Sequence, residues 1–554
     1  MYAHLEHNNY AASGTSGHGF KGYLGVSQSD PSFLNAQPEQ KQMVAAAGAA
    51  IGNSGDVSSL VKNDINAPGA ASYKTPGIFG FSSHIDAQGK RSDSRTYIND
   101  VLNAKNADGS KKYKLDVWLN TLVTRVIFDQ STVGDKVIPG TQRKFSAHAV
   151  GVEYMQGKHL YSADPLYSGS AGTKGTVTAK SEVIISAGTF NTPQILKLSG
   201  IGPAAELTKL NIPVVQDLPG VGANLQDNQE YSVVMLGQQN FTNPCASDAD
   251  CLAQWKQGKG AYTQGPADTA IMMKTSTSPD GQNDLLLWGQ TKVFRGFWPQ
   301  APGAPADYPS NAFSMQMLKI HPRSRKGVVT LKSSNPQDTP DINFNFFADG
   351  EADDLQALAD GVAFGRKVFG SVSTGLGPFA EVHPCNKASA LNSARSHFAI
   401  NSTDTYGRLA IRDAATCDDA TVKQLIKNEM WSHHATGTAA IGAKNDSMAV
   451  LNSDFTVRGT KGLRVVDASV FPLIPGPFPV LPTFMISEKA TEVILLNEKK
   501  KARNARRHCT HPIGDNIIEN QGISNGTVDA GLAPAVMRLL NSITGILTPP
   551  SESK

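Results

Sequence analysis

Cysteine is scarce, with five in 554 residues, too few and too dispersed for a disulfide scaffold. Only Cys245 and Cys251, which bracket the polar loop CASDADC, read as a small staple; Cys385 and Cys417 are the other candidate pair. A dominant charge sign is missing as well. Lys and Arg number 51 against 48 Asp and Glu, a net charge of +3, which gives no reason to expect a nucleic-acid partner. No uninterrupted apolar run approaches the roughly 18 residues that span a bilayer. The opening residues, from Met1 to Asn9, lack the basic and apolar regions of a secretion signal. There is no internal repeat, and no metal site is assigned.

What remains is the composition of a soluble globular protein. Hydrophobic residues make up 40% and charged residues 18%, enough for a large core and against global disorder. At about 150 residues per domain the length suggests three or four units, or one large two-domain enzyme. Sequons at Asn240, Asn401, Asn445 and Asn525 would permit glycosylation. The cellular location is open, with a lean to secretion if a signal lies upstream of Met1.

Residues 1–90 are loop-rich, with one helix expected at Glu39–Gly52. A helix over TYINDVLNA leads to a strand, LDVWLNTLVTRVIFD, and residues 145–185 read as hairpins over AHAVGVEYM, HLYSAD and GTVTAKSEVIIS. Val183–Ser186 is an apolar strand followed by a tight Ala187-Gly188 turn. Asn191 or Thr192 would then cap a helix with Pro193 at its first position, stopped at Ser199-Gly200. Further on, DLLLWGQTKVF, NAFSMQMLKIHP and GVVTLKSS are strands and ADDLQALADGVAFGRKVFG is an amphipathic helix. After Asn497 the basic run KKKARNARRH opens a solvated tail, in which APAVMRLLNSITGIL is one amphipathic stretch.

Three glycine clusters imitate a dinucleotide fingerprint, which requires a buried strand before it and a helix after it. Gly17-His18-Gly19-Phe20-Lys21-Gly22 has neither. Gly200-Ile201-Gly202 follows a helix, and Gly220-Val221-Gly222 sits in the loop DLPGVGANLQD.

Several segments together resemble the glucose-methanol-choline (GMC) oxidoreductases. SAGTFNTPQILKLSGIGP (186–203) resembles the family's second signature, and DLPGVGANLQDN (217–228) follows it as in that family. HATGT (434–438) resembles its active-site histidine motif, and GLRVVDASVFP (462–472) with TFMISEKATEVI (483–494) resembles its flavin-binding strand and last helix. GHGFKG, RSDSRTYI and LVTRVIFD are weaker landmarks. The resemblance spans roughly residues 15–497.

The resemblance implies an α/β (α+β) fold: an incomplete FAD-binding Rossmann-like domain plus a substrate domain of mainly antiparallel sheet and helices. The implied division is an N-terminal region 1–90, a discontinuous FAD domain 91–235 and 431–497, a substrate domain 236–430, and a tail 498–554. Family members carry GxGxxG upstream of the point where this chain starts, so an N-terminally incomplete sequence is expected. The open edges of the strands 183–186 and 463–467 would then leave apolar surface exposed.

The implied chemistry is oxidation of an alcohol CH–OH group, with hydride passing to FAD and oxygen or a quinone as electron acceptor. His434 is the expected base, since imidazole titrates near neutrality; His433 would share that role or merely pack. Val123 would contact adenine through its backbone. Asp467 would bind cofactor hydroxyls while the amide of Ala468 faces a phosphate, or would cap Ala468-Ser469 instead. Thr483, at the start of the last helix, would direct a positive helix end at the flavin, worth about 0.3–2 kcal/mol. Counting back from Thr483, the second catalytic position falls on Pro479 or Val480, neither able to make the hydrogen bond, so Val480 counts only as a cofactor contact. Gly188 and Asn191 read as structural. Trp288, Phe294, Phe297 and Trp298 suggest an aromatic wall for the substrate, or core, which is the better reading for any one of them. A rival reading is a truncated, non-catalytic relic that binds no FAD.

Overall fold

The computed structural model describes residues 2–67, 71–133, 146–265, 267, 269–296, 310–372, 375–382, 411–412 and 418–509. Cys385, Cys417, Phe297, Trp298, the sequons at Asn401 and Asn525, and the stretch APAVMRLLNSITGIL lie outside them. The chain divides into two units, Met1–Ile494 and Leu495–Lys554.

Along the chain run α1 (Pro38–Ala50), β1 (Gly77–Gly80), α2 (Ser94–Asn103), β2 (Thr121–Phe128), β3 (Ala147–Gln156), β4 (Thr173–Thr178), β5 (Val183–Ile185) and α3 (Gly188–Leu198). The middle supplies β6 (Gln229–Leu236), β7 (Thr269–Met273), β8 (Leu285–Gln290), β9 (Ala312–Lys319), α4 (Glu351–Ser371), β10 (Ala380–Val382), β11 (Ile411–Arg412) and α5 (Asp419–Glu429). Last come β12 (Thr460–Lys461), β13 (Leu463–Val465) and α6 (Val480–Cys509).

The fold is mixed α/β, built around two cores. A seven-stranded antiparallel sheet, in the order β11-β10-β6-β9-β8-β7-β1, packs one face on α4, α5 and α1. α4 opens with Glu351, Asp353 and Asp354 in its first turn, acids that suit a helix N-terminus. Its Leu355, Leu358, Val362 and Val368 meet Val233, Met315 and Leu285 of the sheet. Because β1 joins this sheet and β6 begins at Gln229, the sheet draws on residues from before position 90 and from before position 236. The second core lies where β2 and β3, with β4 and β12 on β3, meet α3 and the parallel pair β5–β13. Val177 and Ile184 are exposed and line a cavity of about 650 Å³ together with Val123, Val152 and Ile195, so apolar surface is open at 183–186. Leu463 and Val465 are buried, and the exposure expected at 463–467 is not found.

Local chemistry corrects several boundaries. The strand expected from Leu115 starts only at Thr121, because Asn120 takes a left-handed backbone, φ 52°, and Trp118 and Leu119 face solvent. HLYSAD is a turn in which His159 Nδ1 meets Asp164 at 2.9 Å, not a strand. The helix expected after Asn497 to have ended continues as α6 to Cys509, through the basic run. The Cys245–Cys251 disulfide forms. The GHGFKG landmark is structural: buried His18 stands between Glu6, 3.1 Å, and Asp64, 2.7 Å.

The main correction concerns α3. It starts at Gly188, and Pro193 lies inside it. Proline at 193 has no amide for the Thr189 carbonyl one turn back, and the Thr438 hydroxyl supplies the missing donor at 2.6 Å. The histidine motif thus repairs the helix that proline would have weakened. Thr438→Val is expected to cost about 1–3 kcal/mol by orphaning that carbonyl. Adding Pro193→Ala, which restores the amide, should recover most of it; urea midpoints that show no recovery would contradict this pairing.

Candidate functional site

The site forms where the carboxyl ends of β5 and β13 meet the seven-stranded sheet. Asp467, just past β13, is 7% exposed. Its Oδ2 accepts from the Gly188 amide at 3.0 Å and the Thr192 hydroxyl at 2.5 Å. Its Oδ1 accepts from the Ser469 amide at 2.8 Å and the Ser469 hydroxyl at 2.5 Å. Both oxygens are therefore engaged in capping the Ala468–Val470 turn and fixing the start of α3. The cap is what this carboxylate does here, and no acceptor is left idle for a cofactor hydroxyl.

Residues 434–439 thread between these two turns. Thr189 Oγ1 donates to the Ala435 carbonyl at 2.7 Å, and the amides of Gly437 and Ala439 donate to the carbonyls of Ala468 and Ser469. On the other side Gln226 and Thr436 exchange backbone hydrogen bonds, so the 217–228 loop borders the motif. His434 is held there by two neighbours in that loop. Its amide donates to Asp227 Oδ1 at 2.7 Å, and its Nδ1 lies 3.1 Å from Asn228 Oδ1.

Asn228 settles the tautomer. Its Nδ2 donates to the carbonyls of Lys319, 2.9 Å, and Ile320, 3.0 Å. The amide is thereby oriented with its oxygen toward His434, so Nδ1 carries the hydrogen and Nε2 keeps a free lone pair. Burial, followed by the neighbouring charge of His433, pushes the His434 pKa down to about 3. The ring is neutral at physiological pH.

His433 lies against it with ring centroids 3.9 Å apart and planes tilted by 42°, and is partly exposed. Its Nδ1 is 2.8 Å from Glu230 Oε1, whereas His434 Nδ1 is 3.8 Å away from that oxygen. Burial works to lower the His433 pKa, but contact with Glu230 and its charge outweigh this and raise it. Burial raises Glu230, and it raises Asp227 to about 7. Glu230, His433 and His434 bring three ligand atoms within 4.8 Å. Donors sharing one zinc at about 2.0–2.2 Å in tetrahedral geometry stand more than about 3 Å apart. The 2.8 Å His433–Glu230 contact is therefore an ion pair that leaves no room for an ion between them.

Of the other expected residues, Val123 lines the cavity beside β5, remote in sequence and sheet from His434. Val480 is 50% exposed, because α6 begins there rather than at Thr483. Thr483 is inside the first turn, donating its hydroxyl to the Pro479 carbonyl at 2.7 Å. The residue that faces His434 from this segment is Phe478, edge to face at 5.3 Å. Phe478 also meets Trp288 at 6.2 Å and Phe81 at 5.8 Å. Trp288 therefore packs in an aromatic group with Phe81 and Phe478, while Phe294 stands against Trp431, and Phe297 and Trp298 lie outside the described residues. Sequence reasoning missed Asn228, Glu230 and Phe478.

Two features beside His434 fit the ring-proximal part of a flavin. The Thr436 hydroxyl is fully buried without a partner, and the space above the Gly188 Cα is open, with φ 82°. Gly188 stands at the carboxyl end of β5, where α/β folds place ligands, and Thr436 lies in the segment that threads beside it.

The family models described as GMC oxidoreductase match residues 24–230 and 322–487. An oxygen-dependent choline dehydrogenase of Brucella anthropi is 31% identical over 378 residues, covering 65% of this chain and 58% of the relative's own length. An alcohol dehydrogenase [acceptor] of Pseudomonas putida is 28% identical over 505 residues, 89% of this chain and 74% of the relative. A formate oxidase crystal structure matches with TM-score 0.66 at 19% identity, over 89% of this chain and 77% of that one. An FAD-dependent oxidoreductase from Chaetomium thermophilum matches with TM-score 0.62 at 20% identity, over 90% and 80%. These two structures share the fold.

Proposed function

Because the chain belongs to the GMC oxidoreductase family, we propose that it serves an FAD-dependent oxidation of the CH–OH group of a small alcohol, with His434 as general base. The observation that carries this is the Asn228 contact, which leaves Nε2 of a neutral, buried imidazole free to take a proton. The family model and the position of His434 beside β5 and β13 favour an enzyme over a cofactor-free relic.

His434 would accept the alcohol proton on Nε2 as the C–H bond breaks, a general-base contribution of about 10²–10⁴-fold. The resulting imidazolium is stabilised through Nδ1–H by Asn228, and its charge is balanced by Glu230, 3.8 Å away. Phe478, backed by Trp288, would shield the ring from water. Bound FAD would accept the hydride, and oxygen or a quinone would take the electrons onward. Thr436, Gly188 and the first turn of α6 with Thr483 would hold the flavin ring, and Val123 would border the adenine side. The Ala468 amide is left as a weaker candidate, since Asp467 beside it is committed to the turn. Residues 91–235 and 431–497 form the cofactor side in this reading, and 236–430, joined by β1 and the start of β6, the substrate side. Among the described residues no helix is long and apolar enough to cross a membrane.

The test is anaerobic reduction of protein-bound flavin by alcohols, followed by visible absorbance. Protein that folds with FAD present and remains colourless contradicts the proposal.

A further inference from the structure

The loop after β6 carries two features that the oxidation chemistry does not use: the tripeptide Asn240-Phe241-Thr242 and the Cys245–Cys251 disulfide that follows it. Burial alternates along the tripeptide. Asn240 and Thr242 are exposed, while Phe241 is buried and packs against Phe313 at 5.4 Å. Residues two apart on an alternating chain share a face, so the Asn240 carboxamide and the Thr242 hydroxyl both stand on the solvent side. The backbone beneath them is fixed. The Phe241 amide donates to the Ser310 carbonyl at 2.8 Å, and the Thr242 amide donates to Glu39 Oε2 of α1 at 3.1 Å. An N-glycosylation acceptor needs an asparagine two residues before a hydroxyl, on a surface with room for a bulky group; this loop supplies both.

The disulfide is an independent observation. Cys245 and Cys251 are joined, and such bonds form and persist in the oxidising compartments through which glycosylated chains pass. The sequon at Asn445 lacks this setting. Asn445, Asp446 and Ser447 are all exposed, with no buried residue anchoring the stretch between acceptor and hydroxyl. It is a turn, in which the Asp446 amide donates to the Ala443 carbonyl at 2.9 Å and the Arg458 guanidinium to the Asp446 carbonyl at 2.7 Å.

We propose that Asn240 carries an N-linked glycan, added as the chain passes through an oxidising secretory compartment. The donor is a lipid-diphosphate-linked oligosaccharide. A bond forms between Asn240 Nδ2 and the first carbon of the sugar as the bond from that carbon to phosphate breaks. The lipid diphosphate leaves, Nδ2 gives up one proton, and nothing is oxidised or reduced. The glycan stands apart from His434. β6 spans about 20 Å from Glu230 to Leu236, and Phe241 is tied to Ser310 at the far end, where Leu236 pairs with Ala312. The modification therefore does not depend on His434 being a base.

The experiment is peptide mass spectrometry of the full chain purified from the cells that produce it, before and after treatment with a peptide N-glycosidase, which releases the glycan and leaves an aspartate in place of the modified asparagine. A glycan is expected at Asn240, with conversion to aspartate on release. Cys245 and Cys251 are expected to resist alkylation until a reductant is added. Asn240→Gln and Thr242→Val, made in the same cells, should each abolish the modification at this position, whereas Thr242→Ser, which keeps the hydroxyl, should retain it. The readout is the mass of a peptide, so a variant that folds poorly still gives an answer. An unmodified Asn240, a glycan at Asn445 alone, or freely alkylated thiols at Cys245 and Cys251 overturns the proposal. So does a glycan at Asn240 that survives Thr242→Val or is lost in Thr242→Ser.

Discussion

Replacing His434 by alanine should slow anaerobic flavin reduction by about 10²-fold or more while the flavin stays bound. The expectation follows from the ring's surroundings. Asn228 holds the hydrogen on Nδ1, and burial keeps the ring neutral, with its pKa pushed to about 3. The ring is thus in its proton-free form throughout the physiological range. The same burial makes it a weaker base than a free imidazole, so the step relies on Asn228 and Glu230 to stabilise the imidazolium. Alanine removes the acceptor without unpairing any main-chain group, since the Asp227 bond uses the amide of residue 434. His433→Ala should slow reduction far less: its Nδ1 is committed to Glu230 and its ring is partly exposed. Equal losses in the two variants would make the pair, rather than His434, the base.

The second large effect is on stability. Lys319 and Asp284 form an ion pair of 2.6 Å with side chains 0% and 1% exposed. Asp284 also accepts from the Thr275 amide and hydroxyl. Removing one charge leaves the other buried and uncompensated, so Asp284→Asn should cost about 3–5 kcal/mol by urea unfolding. The double change Lys319→Met with Asp284→Leu should recover most of that, because the desolvation penalty disappears with both charges. The pair matters to the site because the Lys319 carbonyl is one of the two acceptors that orient Asn228. A loss below about 1 kcal/mol for Asp284→Asn would show that the pair contributes little.

How far the sequence discloses these features depends on the range of the forces involved. The strand at Val183, the helix stop at Ser199-Gly200 and the helices at Pro38 and Glu351 rest on local composition, and they form as read. The start of α3 was misplaced because proline normally marks a first turn. Its position inside the helix is tolerated only through Thr438, 245 residues later in sequence, which no local rule anticipates. His434 was legible from HATGT, but Asn228 and Glu230 were not, since they reach it across about 200 residues. A signal for Glu230 did exist: it and Ser232 sit two apart as polar residues in a strand that is wholly buried and, from Val233 onward, apolar. Phe478 was missed for a simpler reason. The last helix begins at Val480, so counting back from Thr483 lands on Pro479 or Val480 and stops short of Phe478, the residue that faces the site.

The state of a single nitrogen is where the account is most exposed. Selective ¹⁵N labelling of histidine, read by NMR at about pH 6 with His434→Gln to assign the signal, reports which ring nitrogen is protonated. The account predicts a neutral His434 with hydrogen on Nδ1 and a bare Nε2. An imidazolium at that pH, or hydrogen on Nε2, would contradict it.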